Sequence, residues 1–227
     1  MSWDAKWEKI FSEQAWGKYP SEDLIRFIAR NFYAAKDRAT INNLEVGCGP
    51  GANIWYLARE GFKFSGIDGS KTAIKQAEER LDQECPGWRN FGKLEVGDIG
   101  VLPYGDEVFD AVIDNECLSC NSYENSKIIY SEIARVIKPG GKLYVRTFAD
   151  GSWGCETGES VGINAWLCNE GPLKDKGLIR FTKDSDLKDL LPMFHIDSLE
   201  KLMWTSNYQA NLISEWIVHA SKRIKNE

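Results

Sequence analysis

The sequence contains no apolar run long enough for a signal peptide or a membrane-spanning helix. Its first sixteen residues, MSWDAKWEKIFSEQAW, carry a charge every few positions. Basic residues are also in deficit, because 28 Lys and Arg stand against 34 Asp and Glu, for a net charge of −6. A broad basic surface for nucleic acid or an anionic membrane is therefore not expected. These absences predict a cytoplasmic protein that acts on neither nucleic acid nor membrane.

Histidine is nearly absent, with only His195 and His219 in the chain, so few nitrogen ligands are available for a metal. Among the six cysteines, only Cys117 and Cys120 form a close C-x-x-C pair. A structural zinc site normally needs a second such pair. We therefore expect no metal, and in a reducing compartment we expect the cysteines as free thiols.

The composition is that of an ordinary globular protein, with 43% apolar and 27% charged residues in 227. The N-terminal segment shows two helical stripes, the first formed by Trp3, Trp7 and Phe11 and the second following the N-cap candidate Ser21. We interpret residues 1–33 as an N-terminal helical cap and residues 34–227 as the main domain.

Strand and helix patterns alternate from residue 41 to residue 148. Strands are expected at 41–47, 63–68, 93–98, 109–114 and 142–148, and helices at 52–61, 70–81 and 126–137. This alternation predicts an α/β fold whose parallel sheet is covered by helices on both faces.

The last third of the chain changes character. Residues 149–177 lack clear periodicity and predict an irregular insertion after the fifth strand. Thr182 is a candidate N-cap for a following helix. Two further strands, HIDSLEKLMW and SEWIVHAS, are separated by a short polar segment, which favours an antiparallel hairpin.

The most informative motif is LEVGCGPGA, residues 44–52, a strand that enters a glycine-rich turn and opens a helix. Glycines there let a ligand pack against the backbone, next to the free N–H groups of the helix start. Asp68 ends the next strand, where a carboxylate can accept hydrogen bonds from ribose hydroxyls. The motif also satisfies the dinucleotide fingerprint, so an NAD-dependent oxidoreductase stays open, although no convincing catalytic set for one is present.

Four segments in order closely resemble the class I S-adenosylmethionine (SAM) dependent methyltransferases, specifically the small-molecule branch with the ubiquinone-type enzymes. They are LEVGCGPG, GIDGS, VGDIGVLPYGDEVFDAVIDNECL and SEIARVIKPGGKLYV. The flanking AWGKYPSEDLIRFIARNF and GLIRFTKDSDLKDLL resemble bacterial methyltransferases of surface-polysaccharide and secondary biosynthesis. The resemblance implies a Rossmann-like, doubly wound, seven-stranded sheet whose last strand is antiparallel.

The same resemblance implies a SAM site at the carboxyl ends of the first four strands, with S-adenosylhomocysteine as the product. The cofactor-binding residues it implies are Glu45, Gly47, Cys48, Gly49, Gly51, Asp68, Gly69, Ser70, Asp98, Ile99 and Asp114. Glu45 and the turn would contact the methionine part, and Asp68 the ribose. Asp98 and Ile99 would bind adenine, and the carbonyl of Asp114 would accept from the methionine amino group.

The acceptor would lie beyond Asp114, facing Asn115, Glu116 and Asn121. We hypothesise that an aromatic loop with Trp16 and Tyr19, together with residues 149–177, forms the walls of its pocket. Glu116, or Asp114 with its side chain turned inward, is the candidate general base. Such a carboxylate needs burial or a neighbouring anion to raise its pKa.

The sequence thus predicts methyl transfer from SAM to a small-molecule hydroxyl, for example on a sugar or a biosynthetic intermediate. N-methylation of an amine or of a protein side chain is one alternative, and a non-catalytic SAM-binding module is another. The nucleic-acid branch usually carries a proline-aromatic motif after the fourth strand, where this chain has Asp114, Asn115 and Glu116. The oligomeric state stays open between a monomer and a homodimer.

Overall fold

A central seven-stranded sheet organises the protein, whose computed structural model describes residues 2–224. The strands in chain order are β1 (Asn42–Val46), β2 (Lys63–Asp68), β3 (Gly92–Val96), β4 (Phe109–Asn115), β5 (Ile137–Phe148), β6 (Glu159–Gly162), β7 (Ala165–Leu167), β8 (Leu178–Arg180), β9 (Phe194–Ser206) and β10 (Asn211–Lys222). The sheet order is β3-β2-β1-β4-β5-β10-β9. The first five strands pair in parallel, and β10 runs antiparallel to both β5 and β9. The predicted sheet and terminal hairpin are confirmed.

Helices cover both faces of this sheet. They are α1 (Lys6–Glu13), α2 (Glu22–Phe32), α3 (Ala52–Arg59), α4 (Lys71–Glu84), α5 (Tyr123–Val136) and α6 (Leu187–Leu190). Phe27 of α2 and Leu57 of α3 belong to one buried apolar cluster, and Ile129 and Ile133 of α5 belong to a second. The apolar stripes read from the sequence are therefore buried on opposite faces, as a doubly wound architecture requires.

The N-terminal helices form where their periodicity indicates, with one difference. Because α1 begins at Lys6, Trp3 precedes the helix and does not belong to its apolar stripe. Trp7 and Phe11 remain on the helix, with ring centroids 5.6 Å apart. The division of the chain into a cap of residues 1–33 and a main domain stays a prediction.

The segment after β5 is more regular than its sequence suggests. Strands β6 and β7 pair with β8 in a small three-stranded antiparallel sheet. Thr182 is not the expected helix cap, because a short 3-10 turn begins after Lys183 and α6 after Asp186. The Thr182 hydroxyl instead lies 3.1 Å from that of Thr147 and is completely buried.

Two properties of the described residues bear on function. No helix within 2–224 is long and apolar enough to cross a bilayer. In the same residues, no group of three His, Cys, Asp or Glu side chains is arranged to hold a metal ion. All six cysteines are free thiols.

Candidate active site

A cavity of about 160 Å³ opens at the carboxyl ends of the parallel strands. Most residues that the sequence implicates line it: Trp16, Glu45, Gly47, Cys48, Gly49, Asp68, Gly69, Ile99, Asn115, Glu116 and Asn121. Gly51, Ser70, Asp98, Asp114 and Tyr19 are not part of this lining. A cavity is therefore present beside most of the predicted residues, while the other five lie outside its lining.

The glycine turn after β1 allows a close approach of backbone to side chain. Gly47 has a φ of +62°, and a Cβ atom there would lie 2.1 Å from Sγ of Cys117. Gly51 has a φ of +80° and precedes α3, where a Cβ would lie 2.8 Å from Cβ of Ala77 on α4. Gly47 therefore shapes the cavity floor, whereas Gly51 permits the packing of α3 on α4.

Glu45 and Asn53 place two unsatisfied acceptors beside this turn. Glu45 Oε1 accepts a 2.6 Å hydrogen bond from Asn53 Nδ2. Glu45 Oε2 and Asn53 Oδ1 are buried without a hydrogen-bond partner. Burial, together with the nearby charge of Asp68 and against the hydrogen bond from Asn53, raises the pKa of Glu45 to about 8. Such a pair fits a ligand cation with several N–H donors, since buried acceptors left unpaired are costly.

The raised pKa of Glu45 predicts how stability depends on pH. Its stabilising contribution is complete below about pH 4.3, the unfolded value, and is lost as the pH rises through about 8. The unliganded wild type should lose stability over this range relative to Glu45→Gln, which has no carboxyl group to ionise. We expect the melting temperature of the variant minus that of the wild type to grow by several degrees, since one pKa unit is about 1.4 kcal/mol and one kcal/mol is roughly 2 to 4 °C in a chain of this size. Calorimetry across this pH range measures the difference, with Glu159→Gln on the exposed β6 as the control. A difference that does not vary with pH would contradict the assignment.

Asp68 holds the turn together from the end of β2. Its Oδ2 accepts from Gly49 N at 2.9 Å, and its Oδ1 accepts from Ser70 N at 2.8 Å. Ser70 is completely buried; its hydroxyl caps α4 by accepting from Ala73 N and donates to Glu8 of α1 at 2.6 Å. Ser70 is therefore a capping residue, a correction to its expected place in the cofactor site.

The N-terminal segment occupies the end of the cavity assigned to the nucleoside. The backbone N–H and the hydroxyl of Ser2 both donate to the carboxylate of Asp98. The indole of Trp3 packs on Gly69, with Cγ and Cδ1 2.2 Å from where a Cβ at that position would lie. Asp98 is thus engaged by the chain itself, an arrangement that sequence patterns did not indicate.

Asp114 faces away from the cavity, which contradicts its proposed role as a general base. Its side chain is completely buried and accepts from the backbone N–H groups of Cys117 and Leu118, each at 3.1 Å. Its other oxygen accepts from the hydroxyl of Tyr130 at 2.8 Å. Burial raises the pKa of Asp114 to about 6. The carboxylate therefore fixes the turn after β4 and leaves Glu116 as the carboxyl group at the cavity.

Glu116 lies directly after β4 in a left-handed conformation, with a φ of 64°. Its backbone N–H donates to Arg146 O at 2.8 Å, and its Oε1 lies 3.1 Å from Arg146 Nε. A third of its side chain stays exposed. Burial, and next the charge of Glu215, raise the pKa of Glu116, while Arg146 opposes this shift. A basic carboxylate needs burial or a neighbouring anion, and the anion beside Glu116 is Glu215, which the sequence analysis did not select.

The walls of the cavity combine the N-terminal segment with the insertion after β5. Trp7, Phe11 and Trp16 line it from one side and Leu173 from the other. Trp16 packs edge-on against both Trp7 and Phe11, with centroids 5.7 and 5.6 Å away. Tyr19 is 71% exposed and packs on Trp55 outside the cavity, so its expected place in the pocket is wrong.

Both histidines lie away from the cavity lining. His219 packs beside Phe27 and Tyr144, with centroid separations of 5.0 and 5.9 Å, and burial lowers its pKa. His195 is on the exposed edge strand β9. Neither histidine is therefore placed to act on a ligand in this cavity.

Sequence reasoning missed Asn53, Arg146 and Glu215. A signal for the last two exists, because Arg146 shares one face of a largely buried strand with Tyr144 and Phe148, where a charged residue needs a partner. No local pattern indicates which carboxylate pairs with Arg146.

Known proteins share both the sequence pattern and the fold. Residues 37–191 match a family model described as a methyltransferase domain. A fatty-acid O-methyltransferase of Mycolicibacterium smegmatis is 33% identical over 129 residues, which cover 53% of this chain and 43% of that protein. A demethylmenaquinone methyltransferase of Tropheryma whipplei is 36% identical over 107 residues, covering 47% and 41%. The chain thus matches less than half the length of these relatives.

The fold comparison covers more of the chain. A SAM-dependent methyltransferase of Methanosarcina mazei superposes with a TM-score of 0.68 at 20% identity, covering 91% of this chain and all of that one. The architecture is therefore that of the SAM-dependent methyltransferases. The chain belongs to the methyltransferase domain family, as its motifs indicate, and this membership favours a methyltransferase over an NAD-dependent oxidoreductase.

Proposed function

We propose that this protein transfers a methyl group from SAM to a hydroxyl group of a small molecule with an apolar body. The observation that carries the proposal is the pair of buried, unpartnered acceptors, Glu45 Oε2 and Asn53 Oδ1, beside the glycine turn. The α-ammonium group of SAM is a cation with three N–H donors and matches this pair. The fit supports SAM binding on the chemistry of the site as well as on family membership.

The rest of the cavity fits the remaining parts of SAM and the acceptor. Asp68, Gly69 and Ile99 lie at its nucleoside end, and aromatic side chains lie at the other. A positively charged sulfonium benefits from nearby aromatic faces. Because the described lining includes the carboxyl groups of Glu45, Asp68 and Glu116 but no Lys or Arg, a neutral acceptor is favoured over a phosphorylated one.

When bound, SAM would supply an activated methyl group for transfer to the acceptor oxygen, and the electron pair of the broken carbon–sulfur bond would stay on sulfur. The chain holds the acceptor, excludes water and receives a proton. Glu116 is the group that would take the hydroxyl proton onto its carboxylate, since its side chain is open to the cavity and Asp114 is not.

Ligand-dependent thermal unfolding tests the cofactor. At about 100 times its dissociation constant, SAM or S-adenosylhomocysteine adds roughly 2.7 kcal/mol, which raises the melting temperature by about 5 to 10 °C. We expect this shift with both ligands, no shift with NAD, and a much smaller shift in Glu45→Gln, because the ammonium loses its charged partner. Glu159→Gln is the matched control. A shift with NAD alone would refute the proposal.

The acceptor is then sought by supplying the wild-type protein with labelled SAM and a panel of small hydroxylated and amine compounds. Transfer to hydroxyls supports the proposal, whereas transfer only to amines would replace it with N-methylation. Binding of SAM without any transfer across the panel would instead indicate a SAM-binding module.

A further inference from the structure

Four charged side chains meet beside the cavity, and we call them the carboxylate cluster: Asp23, Glu116, Arg146 and Glu215. Arg146 lies at the centre, with Nη2 2.5 Å from Glu215 Oε2 and Nε 3.1 Å from Glu116 Oε1. Its Nη1 is 3.7 Å from Asp23 Oδ1. Three carboxyl groups therefore surround one cation, and in their charged forms they would leave a net charge of −2.

The register of the sheet fixes this arrangement. On the β5–β10 pair, Arg146 is opposite Ile217 and Glu215 is opposite Phe148, so Arg146 and Glu215 are diagonal neighbours on one face. Glu215 is only 1% exposed, and its carboxylate cannot turn to solvent. An uncompensated charge there is costly, so a proton must settle on one of the three carboxyl groups.

Glu116 is the carboxyl group on which that proton settles. Glu215 Oε2 accepts from both Arg146 Nε and Nη2, at 2.9 and 2.5 Å, and Asp23 accepts from the Tyr144 hydroxyl. Glu116 has a single ion pair with Arg146, and the neighbouring charge of Glu215 raises its pKa. With fewer donors than Glu215 or Asp23, Glu116 has the least stabilised charged form of the three, so the proton is placed there.

The other titratable groups near Glu116 do not supply a positive charge that would neutralise it. Asp114 from β4 adds a further negative charge. Cys120, on the turn after β4, carries a thiol whose pKa is raised by burial and by the charge of Glu116, so it stays neutral. Within residues 2–224, Arg146 is the cation in ion-pair contact with Glu116.

We propose that Glu215 is a positioning residue that, with Arg146, keeps a proton on Glu116 near neutral pH. Glu215 thereby sets the pH above which Glu116 can take the proton of the substrate hydroxyl. This inference rests on the methyltransferase function proposed above. Because the base must be deprotonated to act, turnover should rise with pH as Glu116 loses its proton. Removing the Glu215 charge should move that rise to lower pH.

The test reads Glu116 directly in the unliganded full chain, by carbon-13 NMR of labelled glutamate carboxyl groups, with Glu116→Gln identifying its signal. In Glu215→Gln we expect the titration midpoint of Glu116 to fall by about one pH unit or more, a tenfold loss of proton affinity. Glu215→Asp keeps the negative charge, so the titration midpoint of Glu116 should stay close to that of the wild type. Glu159→Gln on the exposed β6 should leave the midpoint unchanged. A wild-type midpoint near 4.5, the ordinary value, or an unchanged one in Glu215→Gln, would overturn the proposal.

If Glu215→Gln does not fold, Asp23→Asn provides a second variant. It removes another anion from Arg146 and can still accept from the Tyr144 hydroxyl, so the Glu116 midpoint should again fall. An unchanged midpoint would overturn the proposal here as well. The titration needs neither SAM nor an acceptor, so a protein that fails to transfer methyl groups would refute the proposed function and leave this result readable. Once an acceptor is known, the pH profile of kcat should shift with the midpoint while KM is maintained.

Discussion

Replacing Glu116 with glutamine should lower kcat by about 100-fold or more, the range expected when a general base is lost. The amide cannot accept the hydroxyl proton, yet it keeps the shape of the side chain and the Cβ atom at a left-handed position. Glu116 is paired with Arg146 at 3.1 Å, whereas Glu45 at the glycine turn is hydrogen-bonded to Asn53. The affinity for S-adenosylhomocysteine should therefore change little.

Steady-state kinetics with the acceptor found in the panel measures this effect, and calorimetric titration with S-adenosylhomocysteine measures binding. Glu124→Gln is a suitable control, because Glu124 is an exposed residue in the first turn of α5. An unchanged rate in Glu116→Gln would exclude Glu116 from proton transfer. In that event, proximity alone would account for the reaction.

Replacing Trp3 with alanine should strengthen the binding of S-adenosylhomocysteine by about tenfold or more. The cavity measures about 160 Å³ with the N-terminal segment in place, whereas ligand pockets are commonly about 300 Å³ or larger. Trp3 on Gly69 and Ser2 on Asp98 occupy the nucleoside end, so a bound nucleoside must displace them. Displacement costs about 1.5 to 3 kcal/mol for re-exposing a large apolar side chain, and the variant avoids that cost.

Calorimetric titration of wild type and Trp3→Ala gives the ratio of dissociation constants. Trp204→Ala on the β9–β10 hairpin is the matched control, because Trp204 is an exposed tryptophan of the same size outside the cavity lining. Weaker binding in Trp3→Ala would contradict displacement and would mean that the indole contacts the bound nucleoside. Tryptophan fluorescence of the wild type during titration would report the same movement.

Much of the fold follows from local patterns. The alternation of short apolar strands with amphipathic helices is a property of neighbouring residues, and it placed five parallel strands and the terminal hairpin correctly. The glycine turn is equally local, since Gly47 needs a positive φ and a missing Cβ whatever the rest of the chain does. Asp68 could be selected because it ends a strand at the carboxyl edge of a parallel sheet, whereas Glu45 was selected through the resemblance of its motif to the methyltransferases.

The errors concern the direction of side chains. Asp114 is the penultimate residue of β4, but the turn that follows supplies two backbone donors that hold its carboxylate outside the cavity lining. Tyr19 lies near Trp16 in sequence, yet it packs on Trp55 instead. Neither side-chain direction can be read from a pattern of residue types, because each depends on which donors and apolar surfaces lie nearby in space.

By itself, the sequence determined the sheet with its helices, the glycine turn and the class of cofactor, because these depend on periodicity and on short motifs. Only the tertiary structure decided what surrounds the reacting groups. Ser2 meets Asp98 across 96 residues, and Arg146 meets Glu215 across 69. Contacts over such separations form only when the completed sheet sets the register of β5 and β10 and brings the N-terminal segment over the carboxyl ends of the strands. The charge balance at Glu116 is therefore a property of the fold.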